Sequence, residues 1–396
     1  MRVSTALLHQ SAINRMQSQQ LSLLRVQTQL ATQQKYLSAA DAPADWAAGM
    51  GIEDLLAQTE RFQANAATAQ HRLALEENAL GEGIDILSRA RVLAIQANSG
   101  SQSDSSRATI AQELRGLRDA MLAMANRDDG QGRYIFAGTD DGNAPFTWNG
   151  ASLSYGGDQQ VRELQIGNAR SIADGDAGSE VFQRVRNGNG TYQVSASAGN
   201  TGGISLKTAT VYDASQYDGD TYTVSFSGGN YEVRDSASVV VDSGAYTDGA
   251  AIRARGFELT FSNSPADGDS FTLQPSQQQD VVALLDKLAN IVASPQGSAS
   301  QRGIAQTGIQ QALTELDRAE VHLLSFQTSA GIRLGNVEDT VDTLDAASID
   351  AQSTLSGLRD LDIAEAATRL QQELLALQAA QSAYVKVQGL SLFNYL

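Results

Sequence analysis

Cysteine is absent from this 396-residue chain. That excludes disulfides, iron–sulfur clusters and thiolate metal sites, and it suits a protein that works outside the cell without an oxidation step. Histidine is scarce too. His9, His71 and His322 each fall alone on a predicted helix, with no His-x-x-x-His or His-Glu-x-x-His pair to hold a metal. No glycine is followed by lysine, so there is no phosphate-binding loop. Gly-x-Gly occurs at Gly130/Gly132 and Gly188/Gly190, without the third glycine and following helix of a dinucleotide site. Asp174-Gly175-Asp176-Ala177-Gly178 starts like a calcium loop, but its fifth position is glycine and offers no side-chain ligand. Basic residues are few: 28 against 45 acids, a net charge of −17 that argues against a nucleic-acid partner. No apolar run reaches the ~18 residues of a membrane span, and Val3 to Leu8 is too short for a signal-peptide core. With no catalytic constellation in view, the expectation is no enzyme, no cofactor, no metal and no membrane partner.

What the chain does contain is helical periodicity at both ends. Ile363, Leu370, Leu377 and Tyr384 recur every seven residues, with Ala367 and Leu374 four after the first two. That is an apolar stripe among good helix formers, with Gly389 expected to end the helix before an apolar tail that includes Leu392 and Phe393. Burying such side chains gains at most ~1.5–3 kcal/mol each, while ordering the backbone costs ~1–2 kcal/mol per residue. The stripe therefore needs a partner, either the chain's own bundle or other subunits. At the other end, Ile13, Met16, Leu23, Leu24, Gln27 and Leu30 follow helical spacing over residues 4 to about 37. Residues 1–40 carry Arg2, Arg15, Arg25 and Lys35 and no acid, which suits pairing with the acidic C-terminal helix.

Between the ends, Asp41-Ala42-Pro43 breaks the first helix and a long one runs from about Ala44 to Asn98, with Leu55, Phe62, Leu73, Leu80, Ile84, Leu87 and Ala94 on its face. Asp104 is placed to cap a third helix. Most of the 35 glycines then lie between Gly130 and Gly268, among strand-like runs such as Tyr134–Ala137, Thr191–Ser197, Thr221–Phe226 and Ala251–Phe261. Helices return over Val281 to about Val292 and Gly303 to about Leu355. The fold class is mainly α with a β insertion: a long antiparallel helical bundle or coiled coil formed by both chain ends, with a central all-β domain. The expected division is a terminal coiled-coil domain (1–43 and 355–396, disordered in the monomer), an α-helical bundle core with a small β part (44–183 and 275–354), and an outer β domain (184–274). These would stack coaxially, with the terminal pair inside and the β domain outermost.

Several segments resemble the flagellin superfamily of bacterial axial proteins. Glu77-Asn78-Ala79-Leu80, Ile84 and Arg91 to Asn98 are similar to the flagellin core helix. Gly132 to Gly138, Tyr155-Gly156-Gly157-Asp158, Pro265 to Phe271, Gly331-Ile332-Arg333-Leu334 and the ending from Leu377 resemble the hook–filament junction branch, hook-associated protein 3. The chain departs from the family at Gln34, near which a glycine is usual, and at Ala42, where a second aspartate is usual; the first helix is therefore expected to run past Lys35. The resemblance implies a structural axial protein that forms a ring or helical layer with copies of itself. It implies contact with the first hook-associated junction protein and with flagellin. It also implies type III export without a cleaved signal, with an export chaperone on the C-terminal helix. Ile13, Met16, Leu23, Leu30, Ile363, Ala367, Leu370, Leu374, Leu377, Tyr384, Leu392 and Phe393 are the expected assembly residues. Flagellin itself, or a secreted adhesin or effector with an α stalk and β head, remains the alternative.

Overall fold

The computed structural model describes residues 2–393, and the side chains of 2–6, 8 and 387–393 lie outside the described set. Its elements are α1 (Arg2–Thr32), α2 (Pro43–Ala97), α3 (Asp104–Ala125), β1 (Phe146–Trp148), β2 (Leu153–Tyr155), β3 (Glu163–Gly167), β4 (Arg170–Ala173), α4 (Gly178–Gln183), β5 (Val185–Arg186), β6 (Tyr192–Ala196), β7 (Ser205–Val211), β8 (Tyr222–Ser227), β9 (Asn230–Arg234), β10 (Val240–Ala245), β11 (Ala251–Ala254), β12 (Phe257–Ser262), β13 (Ser270–Pro275), β14 (Gln278–Gln279), α5 (Val281–Ala293), α6 (Ala299–Arg359) and α7 (Ile363–Phe393). The chain is mainly α with a β insertion. It divides into two compact units, residues 1–64 with 340–396 and residues 65–339; α2 and α6 contribute to both.

The unit of residues 65–339 is built on two heptad series. On α2, Leu73, Leu80, Leu87 and Ala94 are fully buried, and on α6, Ile309, Leu316, Leu323, Ala330 and Val337 are too. A seven-residue repeat keeps one face of a helix turned to its partner over many turns. α3 and α5 close the core with Ile110, Leu114, Met121, Leu284, Leu285 and Leu288. A second α2 series, Ala69, Glu76, Gly83, Ala90 and Ala97, is made of small residues except for the fully buried Glu76. Small side chains there admit neighbours: a Cβ on Gly83 would stand 2.7 Å from Met124 Cε.

A separate core lies in the β region. The antiparallel five-stranded sheet has the order β10-β9-β8-β13-β6 and the three-stranded sheet the order β11-β12-β7. Alternate residues of both point into one cluster that contains Tyr192, Val194, Tyr222, Val224, Phe226, Phe257, Leu259, Phe261 and Phe271. Period-2 alternation puts one face of each sheet inside. Phe261 and Phe271 pack with ring centroids 4.6 Å apart and planes tilted by 48°.

Four local expectations fail for identifiable reasons. The run Ala251–Phe261 is two strands, because Arg255 (φ 43°) and Gly256 (φ 84°) make a two-residue hairpin turn of the type that needs positive φ at both positions. Tyr134–Ala137 is a turn with one bridge, Asp128 to Tyr134; its apolar side chains are buried as expected, but no neighbouring strand pairs with it. Ser103, not Asp104, caps α3: its hydroxyl accepts from the Ser106 N–H at 3.1 Å, while Asp104 pairs with Arg107. Gly389 does not end α7, which runs to Phe393; one glycine costs a helix only about 1 kcal/mol.

Candidate assembly site

The unit of residues 1–64 and 340–396 starts from a break in the chain. α1 ends at Thr32, short of Lys35, because Gln33 adopts φ 57° and the Gln29 side chain donates to the Lys35 carbonyl at 2.6 Å. Gln34 then bridges Asp360, with Lys35 N–H to Arg359 O at 2.8 Å and Leu361 N–H to Gln33 O at 3.0 Å. The Asp41 carboxylate accepts the Leu37 and Ser38 N–H groups and pairs with Arg25. The Leu37 bond is foremost in holding Asp41 below the usual carboxylate range. Arg359 is clamped: it pairs with Glu53, lies 5.5 Å over the Trp46 ring, and passes Gly49, where a Cβ would stand 3.0 Å from its Nε. Asp362 caps α7, accepting from Ala364 and Glu365 N–H at 2.9 and 3.0 Å.

From this bridge α1 and α7 run antiparallel. Ser22 donates to Glu373 at 2.9 Å, and the His9 and Tyr384 rings meet edge to face at 5.8 Å. These contacts define the inward side of α7. Leu370, Leu377, Tyr384 and Ala367 are half-buried, as are Ile13, Met16, Leu23 and Leu30 on α1. Pattern reading missed the most buried positions, Val26 and Ala366, and the inward Glu373. Val26 was legible as the residue three beyond Leu23 and four before Leu30; Ala366 and Glu373 carry no hydrophobic signal.

The structure separates two residues from the inward side. Ile363, the first residue of α7 (54% exposed), Leu374 (40%) and Val385 (66%) are more exposed than the neighbouring half-buried Leu370 and Leu377. Eleven residues make about three turns, so these three lie in one line along α7. The apolar arc of α7 is thus wider than α1 covers, which is why a seven-plus-four pattern merged both rows. On α1, Leu7, Leu21 and Leu24 form another exposed row, on the face away from Val26. Leu392 and Phe393 side chains lie outside the described residues. Burying an exposed Leu or Ile is worth up to ~1.5–3 kcal/mol. The polar groove beside the helix pair, about 590 Å³, is lined by side chains of both charges, among them Arg25, Asp41, Asp362 and Arg369. Among the described residues there is no metal-binding cluster, and no helix is long and apolar enough to cross a membrane.

Comparison with known proteins gives a consistent picture. Residues 3–141 match the bacterial flagellin N-terminal helical region, residues 304–396 the bacterial flagellin C-terminal helical region, and residues 195–275 the D2-like domain of flagellar hook-associated protein 1. The chain is similar to FlgL of Xanthomonas campestris, with 36% identity, coverage of 77% of this chain and 99% of that one, and a TM-score of 0.73. It is also similar to the flagellar junction protein FlgL of Legionella pneumophila, with 29% identity, coverage of 79% and 99%, and a TM-score of 0.72. Flagellar hook-associated protein 3 of Salmonella typhimurium matches at 28% identity over 185 residues, 47% of this chain; the match spans 58% of that relative's length.

Proposed function

The chain belongs to the flagellar hook-associated protein 3 (FlgL) family of the flagellin superfamily, and from that premise we propose that it is a structural axial protein joining the hook to the flagellin filament. The observation that supports this best is the row Ile363, Leu374 and Val385, apolar and still 40–66% exposed beside α1. In an axial layer each such row meets a neighbouring subunit head to tail, the contact that builds rings and helical arrays. The partners in this reading are copies of the same chain, the first hook-associated junction protein on one side and flagellin on the other. An export chaperone would take α7 in a groove, as amphipathic helices are commonly taken. The location is the extracellular flagellum, reached by type III export. Flagellin itself is the weaker reading, since the central segment resembles a hook-associated protein domain. Electron microscopy of cells lacking the protein tests the role: hooks without filaments and shed flagellin are expected, and intact filaments would refute it.

Two expectations follow for the isolated subunit. The terminal helices pair with each other over narrow faces, so in a dilute monomer residues 1–40 and 360–396 are expected to be disordered, with residues of about 50–350 folded. Amide exchange reads this directly: Ile363 to Gln388 should exchange quickly, and slow exchange throughout that stretch would contradict the proposal. The outer β region has its own core and, we propose, folds as its own domain. Replacing residues 184–274 by a short Gly/Ser linker is expected to keep the helical circular dichroism of the α part. The deletion gives up bonds such as Leu206 N–H to Thr307 Oγ1 and Gly188 N–H to Glu315, but Glu315 keeps Lys287 and Gln311. Collapse of the helical signal would place the boundary elsewhere.

A further inference from the structure

The chain has three Asn-Gly pairs, Asn149-Gly150, Asn187-Gly188 and Asn189-Gly190. Glycine has no Cβ to shield its amide, so its nitrogen can reach the side-chain carbonyl of the preceding asparagine. By sequence the three pairs are equivalent, but the fold treats them differently.

Asn187 is buried, and its partner Gly188 donates its N–H to the buried Glu315 carboxylate at 3.2 Å. The Asn187 side chain is itself held by Gln193 and by Gln277 N–H. Asn189 accepts from Thr191 and Tyr192 N–H and donates to Ala209 O, and Gly190 N–H is bound to Asn187 O at 3.2 Å. In both pairs the attacking nitrogen is occupied. Asn149 is exposed in the tight loop between β1 and β2, and Gly150 N–H has no partner among the described residues. Ala151 and Ser152 N–H both donate to Asn149 Oδ1 at 2.9 Å, and Asn149 Nδ2 lies 3.0 Å from Ser152 Oγ. The two donors curl the side chain over the following backbone and stand where negative charge would develop on Oδ1, as an oxyanion hole does.

We propose that Asn149 is a site of spontaneous covalent modification, converting to aspartate and isoaspartate in the folded chain while Asn187 and Asn189 stay intact. Gly150 N attacks Asn149 Cγ, the Cγ–Nδ2 bond breaks, and ammonia leaves with the proton from Gly150 N. Solvent water then opens the resulting cyclic imide at either carbonyl, so that the net change is amide plus water to carboxylic acid plus ammonia, with no redox step. The isoaspartate product carries an extra methylene in the main chain of a hairpin whose register pairs Trp148 with Leu153 and Phe146 with Tyr155. Phe146 and Leu153 of that hairpin are buried in the helical core, so the modification reaches its packing.

The test is peptide mapping by mass spectrometry of the full chain after prolonged incubation in mildly alkaline buffer, native and in urea. In urea all three pairs should convert at similar rates. In the native chain the Asn149 peptide should convert at least about tenfold faster than those of Asn187 and Asn189, since each of the latter must first break a bond to its glycine nitrogen. Asn149→Gln, whose longer side chain cannot close the five-membered imide readily, should remove the native signal. Equal native rates at Asn149 and Asn189, or no conversion at Asn149 while the urea sample converts, would overturn the proposal.

Discussion

Leu374→Asp is expected to leave the soluble subunit's melting transition near that of the unmodified protein while abolishing filament attachment. In the isolated subunit α7 is expected to be disordered, and even in the paired helix Leu374 stays 40% exposed, so the change costs the folded part of the subunit little, at most about the helix-propensity difference of below ~1 kcal/mol. In an assembled layer the same side chain would be covered, and an unpaired carboxylate there costs several kcal/mol on top of the lost apolar burial. At about 1.4 kcal/mol per tenfold, contact with a neighbour weakens by roughly two to three orders of magnitude. Gln372→Asp makes a matched control, because it lies on the far side of α7 and is exposed; it should be nearly neutral. Leu377→Asp strikes the inward side instead and should disturb the α1–α7 pair wherever that pair forms, so it should also abolish filament attachment while leaving the melt of the dilute subunit near that of the unmodified protein. Motility assays and thermal melts of the three variants separate the cases. If Leu374→Asp unfolds the subunit, α7 belongs to the chain's own core; if it leaves motility intact, the assembly seam is not this row.

The second large effect is a pH-dependent stability centred on Glu76. This carboxyl sits in a heptad position otherwise filled by Ala and Gly, its side chain fully buried. Oε1 accepts from Asp176 N–H at 3.0 Å, and Oε2 has no hydrogen-bond partner, with Arg333 3.7 Å away and itself paired with Asp176. Burial, reinforced by the Asp176 charge, pushes the Glu76 carboxyl up to about 8 against an ordinary value of 4.5. Between those values the folded chain keeps a proton that the unfolded chain releases. The stabilisation is therefore full below about pH 4.5 and is lost as pH rises through 8. Glu76→Gln keeps the shape and removes the titration. The variant should match the unmodified chain near pH 4 and exceed it near pH 9 by up to a few kcal/mol. Taking the difference between the two proteins at each pH cancels the other titrating groups. A difference in melting temperature that stays constant across the range would rule out Glu76 as the source.

These two residues also mark where the sequence could and could not be read. Leu73, Leu80 and Leu87, with Leu316 and Leu323, announce the long paired helices by spacing alone, and all are buried. Leu370, Leu377 and Tyr384 do the same for α7. Leu374 has the same chemistry, and only the partner helix decides which side of the apolar arc it falls on. Glu76 was illegible for the opposite reason: nothing in a helical pattern distinguishes a glutamate that the fold buries from one it leaves in water. The hairpin at Arg255-Gly256 was hidden because a two-residue turn barely interrupts a strand-like run. The junction-type family resemblance, by contrast, was carried by short segments spread over the whole chain, so no single misread element could remove it.

The bridge between Gln34 and Asp360 has a kinetic meaning. Residues near the two chain ends, such as Val26 and Ala366, are far apart along the backbone, and bringing them together from an open coil carries a large loop-closure cost. Once residues 33–35 and 359–361 are joined, that loop is already closed, and each further turn of α1 against α7 adds only local ordering. Pairing is then expected to proceed like a zipper with its slider at the bridge, closing through Val26 and Ala366, then Ser22 and Glu373, and reaching His9 and Tyr384 last. Under the assembly proposed above, a neighbour that covered the turns next to the bridge would favour closure from that end.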